Sequence, residues 1–581
     1  MNRKETSDSY NLDSNLKNEL DTLDLGVSLG HYLSHGEILE CRQFPEDRLQ
    51  QTWFFGKTGT GKSNLFEYAG MQDINQGNGI TFIDPHGKTA DRILAKIPPN
   101  RLNDVVLADF SNTEYLPIIN LLNADCNDEA KKTLVVQTLN ALISSRMPEG
   151  YYGPRGEELM RLRLETIMDP GYPFERSITE VEALSINDAH LGDALKSIKS
   201  TRLVEQWNLE KRSRRDSDWD STIHWFLSKI HEWVSDPTLR FFLGGGKTTI
   251  DIEEIIENGK ILIVKIPEAL VGTSVADFIG SYFVALIKNA IMKRCLKGDE
   301  PLRKHYVYID EFQRFATPDF AVLLAEARKF GCGFILANQN IRQLIRFNLH
   351  TGSQDHSLLE AVLGNVGTIA CFRVGANDAR VIADQFDIDI DSVRHIGRYK
   401  AMVRLLFDNR ELKPVVVSVP LAPKAQDDTT ATQIRKRMVE EGIWRRRDGK
   451  EVDTKSAKPK QSQKKKIETV RAQIEGSGTD TGTVQELADM LASMTAPESK
   501  TPPAQDKEAK VEPKSQQADS TTSISWDDLS FLEAKRQDVR HKKTQKTSAA
   551  QTEKPGGDQP NQPGDKTDGK TGRKGKSRKK A

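Results

Sequence analysis

Thr52-Trp-Phe-Phe-Gly56-Lys-Thr-Gly-Thr-Gly-Lys62-Ser63-Asn-Leu-Phe-Glu-Tyr-Ala69 decides the fold. An apolar run, a glycine-rich loop and a helix-forming stretch succeed one another without a break, and the loop satisfies G-x-x-x-x-G-K-[ST] in its required strand-loop-helix context. The glycines let backbone N–H groups turn inward and cradle phosphates at a helix N-terminus. Lys62 is placed for the β- and γ-phosphates, and Ser63 for Mg²⁺. Gly56, Lys57, Thr58, Gly59, Thr60, Gly61, Lys62 and Ser63 are therefore the expected ATP cradle. A second Gly246-Lys247-Thr248 is no such loop, because Phe241 stands where its first glycine belongs.

Around this centre, Gly79–Ile83 and Asp104–Ala108 are short unbroken apolar runs separated by helix-length polar stretches, the pattern of buried parallel strands with crossover helices. The pattern resumes at Lys260–Val264, Tyr306–Ile309, Gly333–Leu336 and Thr368–Phe372, with helices expected around Val275–Lys293 and over Asp319–Phe330. Between them, residues 125–247 are rich in Leu, Glu, Arg and Lys at helical spacing and hold Trp207, Trp219, Trp225 and Trp233. The expected fold class is α/β: a P-loop NTPase with a mainly helical inserted domain and a disordered C-terminal tail. Its expected divisions are a flexible arm (1–24), the first part of the ATPase domain (25–124), the insertion (125–247), the second part (248–422), a helical extension (423–450) and the tail (451–581).

Composition supports the tail. Of 581 residues, 37% are hydrophobic and 29% charged, more polar than a compact globular chain. The formal net charge is +0, yet residues 451–581 hold 26 basic and 20 acidic side chains, leaving 57 and 63 in residues 1–450. Beyond Val452 the chain turns to Lys, Ser, Thr, Gln, Pro and Gly, the composition of disorder. Val484, Leu487, Leu491 and Met494 share one helical face, and Ile524–Leu532 gathers apolar residues among acids; each reads as a partner-binding segment or as transient helix. Arg573–Lys580 is a basic patch suited to nucleic acid or to solubility. Five cysteines without C-x-x-C spacing fit free thiols in a reducing cytosol. No apolar export signal opens the chain, and the run Phe278–Ile287 is short of the ~20 residues of a membrane span. A cytoplasmic protein, or one brought to the inner membrane by partners, is expected.

Tyr306-Val-Tyr-Ile-Asp310-Glu311 is a buried strand ending in two acids. Asp310 is expected to hold the Mg²⁺ shell and Glu311 to orient and activate the attacking water, since phosphoryl transfer depends on positioning and charge neutralisation. Asp84-Pro-His-Gly87 also comes after a strand but lacks the second acid, and reads as an accessory motif near the nucleotide or a plain turn. Gln339, past the strand at 333–336, reads as a sensor of the γ-phosphate by hydrogen bonding or as a satisfied loop amide.

Taken in order, the phosphate loop, Ile83–Gly87, Gly153-Pro-Arg155, Ile309-Asp-Glu-Phe-Gln313, Ala325–Gly331, Ala337-Asn-Gln339 and Gly364–Gly367 with Cys371-Phe-Arg373 resemble the conjugative coupling proteins of type IV secretion, the TraD/TraG-like ATPases. They are similar to the wider HerA/FtsK group of DNA-pumping motors. The resemblance covers residues 25–422. It implies a RecA-like domain, a homo-hexameric ring with ATP sites between subunits, and DNA in the central channel. It gives Arg328 as the arginine offered to a neighbour's γ-phosphate, Gln339 as the sensor and Arg373 as a second arginine candidate. Relaxosome or secretion-channel proteins are the implied partners, met through the insertion and the tail; Lys211–Arg215 is a candidate contact or a solvated charged face. The chain departs from the family in having no intrinsic transmembrane segment. The expected function is an ATP-driven DNA translocase serving mobile-element transfer. A nucleotide-switched recruitment module and a cytoplasmic DNA-processing motor are the alternatives. A GTPase is disfavoured, because no N-K-x-D guanine-reading motif is found.

Overall fold

Strands covered on both faces carry unbroken apolar runs, and seven such strands form one side of a large sheet, out to its edge. A computed structural model describes residues 26–146, 152–213, 218–298, 300–317, 319–347, 353–425 and 427–448. In chain order the strands are β1 (Val27–Ser34), β2 (Glu37–Gln43), β3 (Thr52–Phe55), β4 (Gly79–Asp84), β5 (Val105–Asp109) and β6 (Tyr115–Pro117). Next come β7 (Ile261–Lys265), β8 (His305–Ile309), β9 (Cys332–Asn338), β10 (Arg346–Phe347), β11 (Gln354–Asp355) and β12 (Thr368–Cys371). The last are β13 (Lys400–Arg404), β14 (Leu406–Phe407), β15 (Arg410–Glu411), β16 (Val415–Ser418) and β17 (Trp444–Arg446).

β12, β3, β9, β8, β4, β7 and β5 lie side by side in that order, and every pairing among them is parallel. Beyond β12, the strands β13, β16, β1 and β2 continue the same sheet by antiparallel pairing, to eleven strands in all. Register is fixed across the centre: Phe55 faces Cys371 on one side and Asn338 on the other, and Ile83 lies between Ile309 and Val264. All the strand ends that matter for chemistry thus fall along one edge.

Helices cover both faces. On one, Phe66 of helix Lys62–Asn75 meets Phe54, Phe82 and Tyr308 edge-on, with ring centroids 5.7, 5.6 and 5.4 Å apart. Fully buried aromatic clusters of this kind fix the phosphate-loop helix against the sheet; truncating such a ring to alanine costs about 3–5 kcal/mol. On the other face, helix Thr273–Lys293 buries Phe278, Ile279, Tyr282 and Phe283. By length and composition this helix could cross a membrane, but 72% of its apolar window is buried inside the protein. It is a core helix longer than its central apolar run.

The insertion is built of seven helices, Glu129–Ser145, Gly153–Ile167, Glu180–Ile186, Asp188–Ser197, Thr201–Ser213, Asp218–Ser235 and Pro237–Gly244, with no strand among its described residues. Its centre is polar-stapled. The buried Arg163 lies over the Trp207 and Phe226 rings and donates to Glu210 and Ser185, while Trp207 Nε1 donates to Thr166 Oγ1 at 2.8 Å.

Three expectations need amendment. The stretch over 319–330 is a helix only to Glu326; Ala327–Phe330 is a 3₁₀ turn that Gly331 ends at φ 68°. The extension is not wholly helical: after helix Thr429–Glu440 the chain returns as β17 and pairs with β6, anchored by Trp444 Nε1 donating to Leu107 O at 2.6 Å. The expectation that Arg373 lies on the last core strand is corrected too: β12 is succeeded in the sheet by β13 and β16, and Arg373 lies two residues past the end of β12. The arm 1–24, the tail 451–581 with its segments, and Arg214 and Arg215 lie outside the described residues.

Candidate active site

The carboxyl ends of parallel strands and the N-termini of the helices that succeed them collect along one edge, where backbone N–H groups and helix dipoles favour anions. Here β3, β9 and β8 are neighbours, with β9 in the middle. The chain leaves β3 into the glycine loop, β8 into Asp310-Glu311 and β9 into Gln339. Sequence positions 56–63, 310–311 and 339 therefore meet.

The loop is held at both ends. Gly56 N–H donates to Asn338 O at 3.3 Å and Lys57 N–H to Arg373 O at 3.1 Å, so the loop leaves the sheet braced by the strands on either side. Gly56 has φ 150°, and a Cβ there would come within 2.6 Å of Phe372 Cβ. Lys57, Thr58 and Gly59 form the exposed lip, whereas Thr60 is buried and returns its hydroxyl to Lys57 O at 2.7 Å. Gly61, at φ 122°, is the residue before helix Lys62–Asn75. A side chain at Gly61 would strike Tyr399, whose own N–H donates to Thr60 O at 2.8 Å.

Lys62 is 6% exposed and turned inward. Its Nζ lies 3.4 Å from Glu311 Oε1 and 3.9 Å from Asp310 Oδ1, and both acids are buried. Burial raises the Asp310 carboxyl to about 6, with Asp84 and Glu311 adding to the rise and Lys62 opposing it. Glu311 goes the other way. Burial alone would raise it, but the Lys62 charge and hydrogen bonds from Gln313, Gln339 and Lys62 hold it below the ordinary glutamate value. The two acids thus divide: Glu311 is an ionised acceptor, and Asp310 is a carboxylate short of a positive charge. A divalent cation between Asp310 and Ser63, which opens the same helix as Lys62, would supply that charge, so the donor set fits Mg²⁺.

Glu311 is gripped from both sides. Gln339 Nε2 donates to its Oε1 at 2.9 Å and Gln313 Nε2 to its Oε2 at 2.8 Å, while Thr58 Oγ1 donates to Gln339 Oε1 at 3.0 Å. Gln339 links the loop to the acid. Its backbone is set by Trp53 Nε1 bonding Asn338 Oδ1 at 2.7 Å and by Gln343 Oε1 accepting from the N–H groups of Gln339 and Asn340. Glu311 itself sits at φ 48°, ψ 45°, the left-handed region that costs a non-glycine residue about 1–2 kcal/mol.

Asp84 takes no part in this grip. Its Oδ1 accepts from His86 N–H and its Oδ2 from the N–H groups of Thr89 and Ala90, each at 2.9 Å. The carboxylate caps helix Lys88–Leu94, and its charge, like that of His86, still reaches Asp310. Arg328 is not brought to the site of its own chain. It lies in the 3₁₀ turn before β9, and seven strand residues at ~3.3 Å each put about 20 Å between it and Gln339 at the other end. Its guanidinium is exposed, and its one hydrogen bond among the described residues is 3.4 Å to Asn409 Oδ1. Arg373 reaches the loop through its carbonyl, with its side chain exposed.

Two contributors carry no assignment from sequence. Gln313 stands at the end of the motif Ile309–Gln313, but its role depends on the tight turn Phe312–Arg314 that folds it back onto Glu311. Tyr399 lies more than 330 residues from the loop it braces and carries no local signal.

No family model matches the chain, and no curated protein matches it either. Among solved structures it is similar to the plasmid coupling protein TrwB in complex with the non-hydrolysable GTP analogue GDPNP, at 14% identity over 67% of this chain and 90% of that one, TM-score 0.50. TrwB with the ATP analogue ADPNP matches at 13% identity over 69% and 95%, TM-score 0.49. VirB4 of Thermoanaerobacter pseudethanolicus matches at 14% identity over 69% and 98%, TM-score 0.45. The chain shares the α/β P-loop fold of the TrwB structure.

Proposed function

We propose that this chain is an ATP hydrolase of the type IV secretion class, working as a DNA-translocating coupling protein or recruiting nucleoprotein for transfer. The observation that carries the hydrolase reading is the grip on Glu311: an ionised, buried acid facing Lys62, with both oxygens held by amides, on the edge where the phosphate loop opens. A site that only held nucleotide would need no such acid. The similarity to TrwB, solved with a nucleotide analogue and named a plasmid coupling protein, supports the transfer setting.

In this reading the N–H groups of residues 57–63 bind the phosphates, and Lys62 lies along the β- and γ-oxygens. Ser63 and Asp310 would hold Mg²⁺, which when bound supplies neutralising charge to those oxygens. Glu311 accepts a hydrogen bond from the water that attacks the γ-phosphorus and takes up its proton, while Gln313 and Gln339 keep the carboxylate aimed. Gln339, bonded to both Thr58 and Glu311, senses the γ-phosphate. Arg328 serves the site of a neighbouring subunit, which makes the working form a ring; six subunits are the expected count. DNA contact is then dominated by phosphates and weakens steeply with salt.

The test is steady-state ATP hydrolysis by the full chain across a protein-concentration series, with and without single- and double-stranded DNA. Lys62→Ala should lose nucleotide binding. Glu311→Gln should bind ATP normally and turn over ~100-fold or more slowly; normal turnover by Glu311→Gln removes that residue from the chemistry. DNA-stimulated, cooperative turnover is expected of the motor, and turnover indifferent to DNA and concentration would sink it.

A further inference from the structure

The loop that carries Glu311 is held at three consecutive carbonyls by three different parts of the molecule. Arg146 Nη1 donates to Arg314 O at 2.8 Å, Ser281 Oγ to Phe315 O at 3.3 Å, and Arg346 Nη2 to Ala316 O. Ser281 belongs to the core helix Thr273–Lys293 and Arg346 to β10. Arg146 belongs to the insertion: it is the residue that ends helix Glu129–Ser145. One guanidinium from the inserted domain thus holds the backbone of the hydrolytic loop.

That bond lies three residues from Glu311. Arg314, whose carbonyl Arg146 holds, also donates its N–H to Glu311 O at 3.0 Å, closing the turn that keeps Glu311 left-handed. Gln313, just before it, carries the amide that holds Glu311 Oε2. Meanwhile the Arg314 side chain is tied to the core, with Nε to Asp277 Oδ1 at 2.7 Å and Nη1 to Glu268 Oε2 at 2.6 Å. The turn is therefore clamped between two bodies, by side chain on the core and by backbone on the insertion.

The space around the clamp is open. A cavity of about 1100 Å³ runs between the insertion and this loop, lined by Ala141, Ser145, Asp277, Lys288, Gln313 and Thr317 among others. Beside it the two bodies are joined by polar struts, Arg146 Nη1 to Arg314 O and Asn289 Nδ2 to Thr138 Oγ1 at 2.9 Å, while elsewhere they pack through rings such as Trp233 on Phe278 and Phe242 on Tyr282. Arg146 is an unusual strut. Among the described residues no carboxylate lies within ion-pair distance of it, its buried Nε finds no acceptor, and burial lowers its guanidinium to about 10, with Asp277 opposing and Arg346 adding to the fall. Holding a cation there without an ion pair has a desolvation cost that fold stability alone does not explain.

We propose that Arg146 is a positioning residue through which the helical insertion sets the geometry of Glu311. A shift of helix Glu129–Ser145 moves the Arg314 carbonyl, loosens the turn and takes Glu311 off the line of attack. Hydrolysis is thereby tied to what the insertion holds. This rests on Glu311 being the water-activating acid of the proposed hydrolase.

The test compares full-length wild type, Arg146→Gln, Arg146→Lys and Glu311→Gln. Arg146→Gln should lower kcat about tenfold, with KM and the Kd for ATP within about twofold. It should also speed amide exchange at Arg314, while its melting temperature stays near wild type. Arg146→Lys, which keeps one charged donor to the carbonyl, should recover more than half of the lost rate. Unchanged kcat in Arg146→Gln with an inactive Glu311→Gln overturns the Arg146 role alone. Normal turnover in Glu311→Gln overturns the reading beneath it. Parallel loss of ATP binding, stability and rate in Arg146→Gln makes the residue structural and overturns the proposal as well.

Discussion

The two ends of the parallel strands meet different backbone groups and put their charged side chains to different uses. At the carboxyl edge, helix N-termini and the phosphate loop present N–H groups, and Asp84, Asp310 and Glu311 gather there with Lys62 between the last two. At the amino edge, helices end and leave carbonyls, and the side chains are arginines. Arg101 donates to Ile74 O and Gly259 O, both at 3.0 Å, and Arg294 to Phe330 O at 2.7 Å and Ile256 O at 3.2 Å. Arg48 forms a bidentate pair with Asp73 near the end of the phosphate-loop helix, both bonds 2.7 Å. These three are buried and firmly bonded. Arg328 lies at the same edge, exposed, with one long hydrogen bond. Arginine is thus the structural residue of this edge, and Arg328 alone among these four is left free to serve another molecule. In the proposed reading Lys62 is the carboxyl edge's own cation for the phosphates, and the amino edge offers a second, Arg328, too far away for its own chain.

Arg328→Ala puts that division under the greatest strain. It should lower kcat by about a thousandfold while leaving ATP binding and melting temperature near wild type, because a transition-state arginine from a neighbour acts only on the chemical step. A loss of stability instead would class Arg328 with its structural neighbours. Arg48→Met should do the reverse. Stranding the buried Asp73 costs about 3–5 kcal/mol of stability, read as a fall in the urea midpoint, with kcat per folded molecule largely preserved.

The smallest effect concerns His305, at the amino end of β8, where Thr81 Oγ1 lies 2.9 Å from its Nε2. Burial lowers its pKa to about 3, with Arg294 and Arg303 adding to the fall. The folded chain therefore refuses a proton that the unfolded chain takes below about 6.5, so stability is lost as pH falls through that value and down towards 3. Between pH 7 and 5 the loss is about 2 kcal/mol from this residue. His305→Gln should flatten that slope in urea unfolding at the two pH values; an unchanged slope would assign the acid sensitivity elsewhere.

How much of this was legible in the sequence depends on where each signal resides. The loop 56–63 and the pair Asp310-Glu311 announce themselves because chemistry restricts both residue type and spacing within a few positions. The parallel strands are legible because two covered faces exclude polar residues, as in β3 and β8. The antiparallel flank is less so: β16 pairs with β1 across more than 380 residues, and β17 with β6 across more than 300. Gln313 carries no role in the sequence, because nothing in Phe312-Gln313-Arg314 says that the turn bends back. For Arg328 the resemblance supplied the neighbour role, and what the structure adds is its place before β9, about 20 Å from Gln339.

If the carboxyl edge is completed by another copy of the same chain, two inactive variants should rescue each other. Glu311→Gln and Arg328→Ala should each be nearly inactive alone. Combined one to one before assembly, they should regain roughly a quarter of the wild-type ATPase rate, since random pairing around a ring places an intact Glu311 beside an intact Arg328 at about that fraction of interfaces. No recovery in the mixture, with both variants folded and binding ATP, would contradict a site shared between subunits.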